Sequence, residues 1–299
     1  MSKPEAIVVV GPTAVGKSKF AVEMALECGG EIVSADSMQV YLGLNIGTAK
    51  PTLAEMQGVL HHMIDVADPS EIFSVAEYCR MARGVIDEII SRGKTPVICG
   101  GSGLYVNSLI YDMDFSGEEE EKSRGAEMTG EAVNYEEILE QEGALALFEL
   151  LERRDPLVAQ KEHPNNTKRV IRLLRRLDGG VEQGGIRDFS ESFIPTEQFE
   201  PVIYRLTMDR PILYKKIEDR VDLFIEKGLV SEVQGLLSGG LSREAISLLG
   251  IGYKELLGFL DGEYDLDYSI YLIKRNTRRY AKRQETWFKR YTEAKIIEM

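Results

Sequence analysis

The chain has 299 residues, of which 43% are hydrophobic and 28% are charged. These proportions are ordinary for a globular protein that forms one large domain and a smaller one. The formal net charge of −13 argues by itself against a nucleic-acid partner, and three widely separated cysteines argue against a disulfide framework or a zinc site. No apolar run reaches the length of a signal peptide's hydrophobic region or of a membrane span, so we expect a cytoplasmic protein with no membrane partner.

The first third of the chain predicts strands that alternate with helices. In chain order these are a strand at Ala6–Val10, a helix at 17–28, a strand and turn at 31–37, a short strand in "MIDV" (63–66), a helix at 74–94, a strand in "TPVICGG" (95–101) and a helix from 102. Ser74 is the predicted N-cap of the helix at 74–94, and Gly93 is its predicted end. This alternation predicts an α/β fold with a doubly wound parallel sheet flanked by helices.

The middle of the chain has a different character. Residues 115–155 contain thirteen Asp or Glu against four Lys or Arg, including the run Glu118–Glu121, which favours a solvated segment. A helix is predicted from residue 135 to before Pro156, and another between an Asn165 or Asn166 cap and the Gly179–Gly180 pair, followed by a loop to 185. We therefore predict a mainly helical insertion domain at 115–199.

The remainder of the chain predicts a return to the sheet. "VIYRLTM" (202–208) alternates as a strand does, and the following segment is mostly helical to about Arg290, with a last strand in "AKIIEM" (294–299). Residues 1–114 and 200–299 are therefore predicted to form a P-loop NTPase-like core. The polar loops after the strands that end near Val10, Val33 and Cys99 should meet at one edge of the sheet.

The segment "GPTAVGKS" matches the pattern G-x-x-x-x-G-K-[ST] between a predicted strand and a predicted helix. Main-chain N–H groups of such a loop bind phosphate oxygens. Lys17 is expected to contact the terminal phosphates and the Ser18 hydroxyl to bind Mg²⁺. The complete set of predicted phosphate-binding residues is Gly11, Pro12, Thr13, Ala14, Val15, Gly16, Lys17 and Ser18.

Asp36 follows the second predicted strand and should face the phosphate loop across the crevice. There it could orient metal-bound water or accept a proton from a nucleophile. Alternatively, it could simply form an Asx turn. Small-molecule P-loop kinases also have an Asp here, so Asp36 alone leaves the reaction open.

Two basic segments stand out against the acidic average. "KRVIRLLRR" (168–176) and "KRNTRRYAKRQETWFKR" (274–290) concentrate Lys and Arg on predicted helices, the second with interleaved aromatic residues. Both favour contacts to a nucleic-acid backbone, the alternative being solvated helix faces with the aromatics in the core. Arg210 and Arg220 are potential clamps on a leaving phosphate.

Together these stretches resemble the tRNA dimethylallyltransferase family. The matching segments are "GPTAVGKS", "SADSMQVYLGLNIGTAKPT", "FSVAEY", "GGSGLYVNSLI", "HPNNTKRVIR", "GIGYKEL" and "TRRYAKRQETWF". The resemblance implies transfer of a dimethylallyl group from dimethylallyl diphosphate to the exocyclic amine of an adenosine beside the anticodon of tRNA. Mg²⁺ would assist and diphosphate would leave, and no protein partner is indicated.

The resemblance also implies roles for individual residues. Thr13 and Asp36 would flank the reacting amine, with Asp36 as general base, and Arg220 would join the phosphate loop in binding the diphosphate. Contacts to tRNA would come from Asp36, Ser37, Met38, Gln39, Ser102, Lys168, Arg169, Val170, Ile171 and Arg172. The chain departs from the family in having Ser18 where threonine is usual and departs most in the segment "FSGEEEEKSRGAEMTGEAVNYEE". With three cysteines, the zinc-binding extension of the eukaryotic members is not expected.

Three alternatives differ in chemistry or in class. An adenylate isopentenyltransferase would prenylate free AMP, whereas a small-molecule P-loop kinase would transfer phosphate from ATP. A nucleotide-gated RNA-binding protein would bind tRNA without any reaction. The long basic C-terminal helix favours a large RNA substrate over AMP.

Overall fold

The computed structural model describes residues 3–113, 115, 133–178 and 194–299. The chain divides into two compact units, one formed by Met1–Ile110 with Thr196–Met299 and the other by Tyr111–Pro195. Within the described residues, no helix is both long and apolar enough to cross a membrane.

The described strands of the first unit are β1 Glu5–Val10, β2 Glu31–Ser34, β3 His61–His62, β4 Pro96–Gly100, β5 Glu200–Thr207 and β6 Lys295–Glu298. They form a parallel sheet in the order β3-β2-β4-β1-β5-β6. The predicted parallel sheet is therefore confirmed, including the return of β5 beside β1. The carboxyl ends of β1, β2 and β4 meet at one edge, as parallel strands require.

One predicted strand was wrong. The strand near residue 63 is His61–His62, and "MIDV" follows it as a bend. Met63 and Asp65 have φ angles of 62° and 55°, and a residue with positive φ cannot continue an extended strand.

Helices cover the sheet and form the C-terminal half of this unit. They are α1 Lys17–Cys28, α2 Leu53–Met56, α3 Val75–Ser91, α4 Gly103–Ile110, α8 Arg210–Glu226, α9 Leu229–Ser238, α10 Arg243–Leu248, α11 Tyr253–Leu260 and α12 Leu266–Phe288. The predicted ends of α3 are confirmed, because Ser74 accepts a hydrogen bond from the Glu77 N–H and Gly93 has a φ of 71°.

The central strand explains why this unit folds around β1. Val8, Val9 and Val10 are fully buried, as expected for a strand covered on both faces. α1 packs Ala21, Val22 and Ala25 against this sheet, with Phe20 and Met24 partly buried beside them. A second cluster joins α9, α11 and α12 through residues such as Leu229, Val233, Tyr253, Leu256 and Ile273.

The second unit is helical where it is described. It contains α5 Tyr135–Arg154, α6 Pro156–Ala159 and α7 Thr167–Asp178. α5 is interrupted at Gly143, which has a φ of 86°, so the predicted single helix bends there. Pro156 begins α6 behind an Asp155 cap. The predicted Gly179–Gly180 stop, the loop to 185 and the run Glu118–Glu121 lie outside the described residues.

Candidate active site

The loop between β1 and α1 is shaped as an anion cradle. Ala14 and Gly16 have φ angles of 66° and 107°, and positive φ values turn successive N–H groups toward one concave side. α1 begins after Gly16 without a side-chain cap, so the first N–H groups of α1 have no partner within the helix. A methyl group on Gly11 would lie 2.7 Å from the Leu206 carbonyl oxygen. Glycine there lets the loop pack directly against β5.

Lys17 lies at the centre of this edge. Its Nζ donates a hydrogen bond to the Pro12 carbonyl at 2.8 Å. Burial first, and then the positive charge of Arg220, lower the pKa of the Lys17 ammonium to about 8, while the charge of Asp36 acts in the opposite direction. Burial also raises the pKa of the Cys99 thiol to about 11, so that thiol stays neutral. Asp36 is the other acid whose charge acts on Lys17.

Arg220, on α8, extends toward the same place. Burial lowers the pKa of its guanidinium, and the charge of Glu55 opposes that effect. The group remains a cation at neutral pH because the ordinary arginine pKa is so high. Arg210, in contrast, is exposed and lies 3.9 Å from Glu285. Of the two arginines considered as clamps, Arg220 lies where its charge acts on Lys17, and Arg210 lines a cavity with Gly11 and Pro12.

Asp36 occupies the turn directly after β2. Its Oδ1 accepts a hydrogen bond from the Met38 N–H at 2.9 Å, so the Asx turn is present. Burial nevertheless raises the pKa of the Asp36 carboxyl, outweighing the main-chain hydrogen bonds and the charge of Lys17. A carboxylate with a raised pKa is a stronger base than an exposed aspartate. Turn formation and proton acceptance are thus compatible at this position.

The turns after β2 and β4 are joined directly. The Ser37 N–H donates to Ser102 Oγ at 2.9 Å, and Ser102 Oγ donates to Ser37 Oγ at 3.0 Å. A Cβ on Gly100 would overlap the carbonyl group of Ala35, so glycine is required where the turns approach. The three loops predicted to meet therefore do so.

A wall of this site comes from α12, which sequence analysis treated as an RNA-binding helix. Gln284 accepts a hydrogen bond from the Thr13 N–H and donates one to the Gly101 carbonyl. One turn earlier, burial and then the charge of Asp36 raise the pKa of Tyr280 to about 12. The sequence contains one signal for this wall: Tyr280 and Gln284 are spaced so that two uncharged polar side chains lie on one face of a basic helix.

Gln39 is held inside the protein. Its Oε1 accepts a hydrogen bond from Ser34 Oγ at 3.0 Å, and its Nε2 donates to the Thr48 carbonyl at 3.2 Å. The loop that contains Thr48 is fixed by Glu232, whose carboxylate accepts hydrogen bonds from three successive N–H groups, at residues 45–47, and from the Tyr253 hydroxyl. The Gln39 side chain thus braces the turn after Asp36.

The residues predicted to bind tRNA from α7 lie in the second unit. Val170 and Ile171 are buried in that unit's core, so their side chains are not available to RNA. Arg169 pairs with Glu162, and Arg172 is exposed. An amphipathic helix must bury one stripe of side chains, so fewer side chains of α7 can contact RNA than the sequence predicts. The side chain of Lys168 is outside the described residues.

The C-terminal basic segment is divided between internal and outward contacts. Lys274 and Arg278 form ion pairs with Asp222 and Glu218 of α8. Other members line a cleft of about 700 Å³ beside α10 and α11. The basic residues of that cleft are Arg243, Lys254, Arg275, Arg279 and Arg283.

Comparison with known proteins decides the family. Residues 39–291 match the family model described as IPP transferase. This chain belongs to the IPP transferase family. The matched range begins after the phosphate loop and Asp36, and it covers most of the remaining chain.

Two relatives of this chain come from bacteria. The chain is 44% identical over 292 residues to a tRNA dimethylallyltransferase of Alkaliphilus metalliredigens, covering 97% of this chain and 90% of that protein. It is also 44% identical over 299 residues to one of Clostridioides difficile, covering 100% and 93%. These matches include the N-terminal part that the family model omits.

Solved structures agree with the fold. The full-length tRNA isopentenylpyrophosphate transferase of Bacillus halodurans is 39% identical with a TM-score of 0.70, the match covering 99% of this chain and 90% of that one. A eukaryotic dimethylallyltransferase acting on tRNA is 26% identical with a TM-score of 0.79, covering 99% and 74%. The IPP transferase fold is thus shared along nearly the whole chain.

Proposed function

We propose that this chain transfers the dimethylallyl group of dimethylallyl diphosphate to the exocyclic amine of an adenosine beside the anticodon of tRNA. One observation supports this most strongly: the anion cradle lies beside the half-buried Asp36 carboxylate, whose pKa is raised, in a chain 44% identical to proteins named tRNA dimethylallyltransferase. In this reaction the bond between the allylic carbon and the diphosphate oxygen breaks. A bond from the amine nitrogen to that carbon forms, and diphosphate leaves.

The cradle acts on the leaving diphosphate. Main-chain N–H groups of the loop, with the Lys17 ammonium and the Arg220 guanidinium, would stabilise negative charge that grows as the allylic bond breaks. Lys17 is held to Pro12 by a single hydrogen bond, and an ammonium has further donors for phosphate oxygens. No phosphoryl group is transferred in this chemistry.

Asp36 acts on the acceptor amine. The amine loses a proton as it bonds to carbon, and the Asp36 carboxylate accepts that proton. Thr13, whose N–H is fixed by Gln284, is expected to place its hydroxyl beside the same amine. The adenosine must leave its stack to reach this pocket, at a cost of a few kcal/mol, which contacts around Ser37 and Ser102 would offset.

Mg²⁺ fits this site as a companion of the diphosphate. Within the described residues, no group of three or more His, Cys, Asp or Glu is placed to hold a metal ion. Magnesium commonly binds through substrate phosphates with one or two protein oxygens, and the exposed Ser18 hydroxyl at the start of α1 would be such a ligand. When bound, the ion would neutralise part of the diphosphate charge.

Binding of tRNA is expected on the basic surfaces. Arg279 and Arg283 line the cleft beside α11, and Arg172 is exposed on α7. Such cations neutralise backbone phosphates and make binding dependent on salt. We expect the protein in the cytoplasm, where a tRNA substrate of a bacterial relative is made and used.

The test supplies competing acceptors in one reaction. The protein is incubated with dimethylallyl diphosphate, Mg²⁺, unmodified tRNA and AMP, and the nucleosides are examined by mass spectrometry after digestion. The proposal predicts prenyl addition to one adenosine of tRNA. Prenylated AMP alone would instead identify an adenylate isopentenyltransferase.

A further inference from the structure

Gln284 bridges two loops of the candidate site with a single side chain. Its Oε1 accepts a hydrogen bond from the Thr13 N–H at 2.8 Å, and its Nε2 donates one to the Gly101 carbonyl at 2.9 Å. The residue is only 5% exposed. A buried amide needs partners for both of its ends, and here each end is matched to a different loop.

The surrounding contacts leave little room for this bridge to move. A Cβ on Gly101 would overlap the Gln284 amide, and a Cβ on Gly103 would overlap the indole of Trp287. Trp287 lies one turn after Gln284, so two successive turns of α12 press against residues 101–103. α12 and this turn are therefore packed as one rigid element.

We propose that Gln284 is a positioning residue that fixes the separation between the diphosphate cradle and the acceptor side of the site. This inference rests on the proposed function. Toward the cradle, Gln284 holds the main chain of Thr13. Toward the acceptor, it holds Gly101, whose neighbour Ser102 is bonded to Ser37 and so to the turn that presents Asp36.

The separation matters because two substrates must meet. The allylic carbon of one substrate must face the amine of the other within a narrow distance, and a misplacement of about 1 Å costs about 100-fold in rate. Loss of the bridge should therefore lower kcat by about 10- to 100-fold. The KM for dimethylallyl diphosphate should change much less, because Lys17 and the loop N–H groups remain.

Three variants separate positioning from folding. Gln284→Met keeps the length of the side chain and removes both hydrogen bonds. Gln284→Glu keeps the acceptor for Thr13 but, when ionised, loses the donor to Gly101. Thr286→Ala is the matched control, because Thr286 is exposed on the same helix and bonds only to the Lys282 carbonyl of that helix in the described structure.

The glutamate variant adds a pH readout. A protonated carboxyl has the same pattern as the amide, since it donates to the Gly101 carbonyl and accepts from the Thr13 N–H. The ratio of its kcat to that of the wild type should therefore rise as the pH falls. The same ratio for Thr286→Ala should stay flat, and a structural role alone would not produce this difference.

Steady-state rates are measured with unmodified tRNA well below each variant's melting temperature, together with the emission of Trp287, the one tryptophan of the chain. We expect Gln284→Met to lose kcat and to shift the Trp287 emission to longer wavelength. Wild-type kcat in that variant, or a pH-independent ratio for Gln284→Glu, would overturn the proposal. If the wild type transfers no prenyl group, the proposed function fails, and an unshifted Trp287 emission in Gln284→Met would then overturn the bridge separately.

Discussion

Asp36→Asn removes the base and preserves the turn. The Asn side-chain oxygen still accepts a hydrogen bond from the Met38 N–H, which spans 2.9 Å in the structure. A general base contributes about 10²- to 10⁴-fold to the rate, equivalent to about 3 to 5 kcal/mol of transition-state stabilisation. We therefore expect kcat to fall by that factor while the KM values for both substrates stay near those of the wild type.

The stability of Asp36→Asn, unlike its kcat, should not fall. Burial raises the folded-state pKa of Asp36 above its unfolded value, so protonated Asp36 favours folding at low pH and this contribution is lost as the pH rises through the raised pKa. Above that pKa, ionised Asp36 therefore opposes folding. Asp36→Asn should melt at the same temperature as the wild type or higher, and the difference should shrink as the pH falls.

Asp68→Asn is the matched control for the turn. Asp68 is exposed, and its Oδ1 accepts a hydrogen bond from the Ser70 N–H at 2.8 Å, which is the same local pattern without burial. This variant should keep full kcat. Rates are followed by the amount of prenylated adenosine formed in tRNA, and stability is followed by circular dichroism. Full activity in Asp36→Asn would refute the general-base role and leave the residue as a turn former.

Three other predictions concern different parts of the chain. Burial acts to raise the pKa of Glu31, but the bonds from Lys94 and its neighbours outweigh burial and lower that pKa to about 2. Glu31→Gln should therefore lower the melting temperature at pH 7, and this effect should become smaller from about pH 5 to pH 2, where the wild type loses the same contribution. An equal effect at all pH values would contradict this. Gly100→Ala should abolish activity and lower the melting temperature, since its Cβ would overlap Ala35; a stable and active variant would show that the turns are not tightly joined. Arg172→Ala should weaken tRNA binding and flatten its dependence on salt without changing the KM for dimethylallyl diphosphate; a change in that KM alone would place α7 on the other substrate.

The sheet and the phosphate loop were predictable because local patterns specify them. A buried strand before a glycine, such as Ala6–Val10, and an N-cap such as Ser74 are determined by residues close in sequence. Local patterns did not predict that the strand ends before Met63, because no residue propensity indicates the positive φ angle there. The helical spacing of Leu26 places it next to the buried face of α1, yet its side chain is 51% exposed. Tertiary packing decides which edge of an apolar stripe is covered.

The contents of the site were predictable only in part. Asp36 and the phosphate loop follow strands that share a sheet edge, so topology alone predicts that they meet. Gln284 lies far along the chain, and its role depends on how α12 packs over Thr13 and Gly101. The burial of Val170 likewise depends on the helices around it, which a count of charges on α7 does not reveal.

The most direct measurement of the central claim is the stoichiometry of products from unmodified tRNA and dimethylallyl diphosphate. Prenylated adenosine and free diphosphate are quantified in the same reaction, with ATP present as a competitor. We predict that the two products appear in equal amounts and that ATP is not consumed. Consumption of ATP with no prenylated adenosine would contradict the assignment of the phosphate loop to a leaving diphosphate.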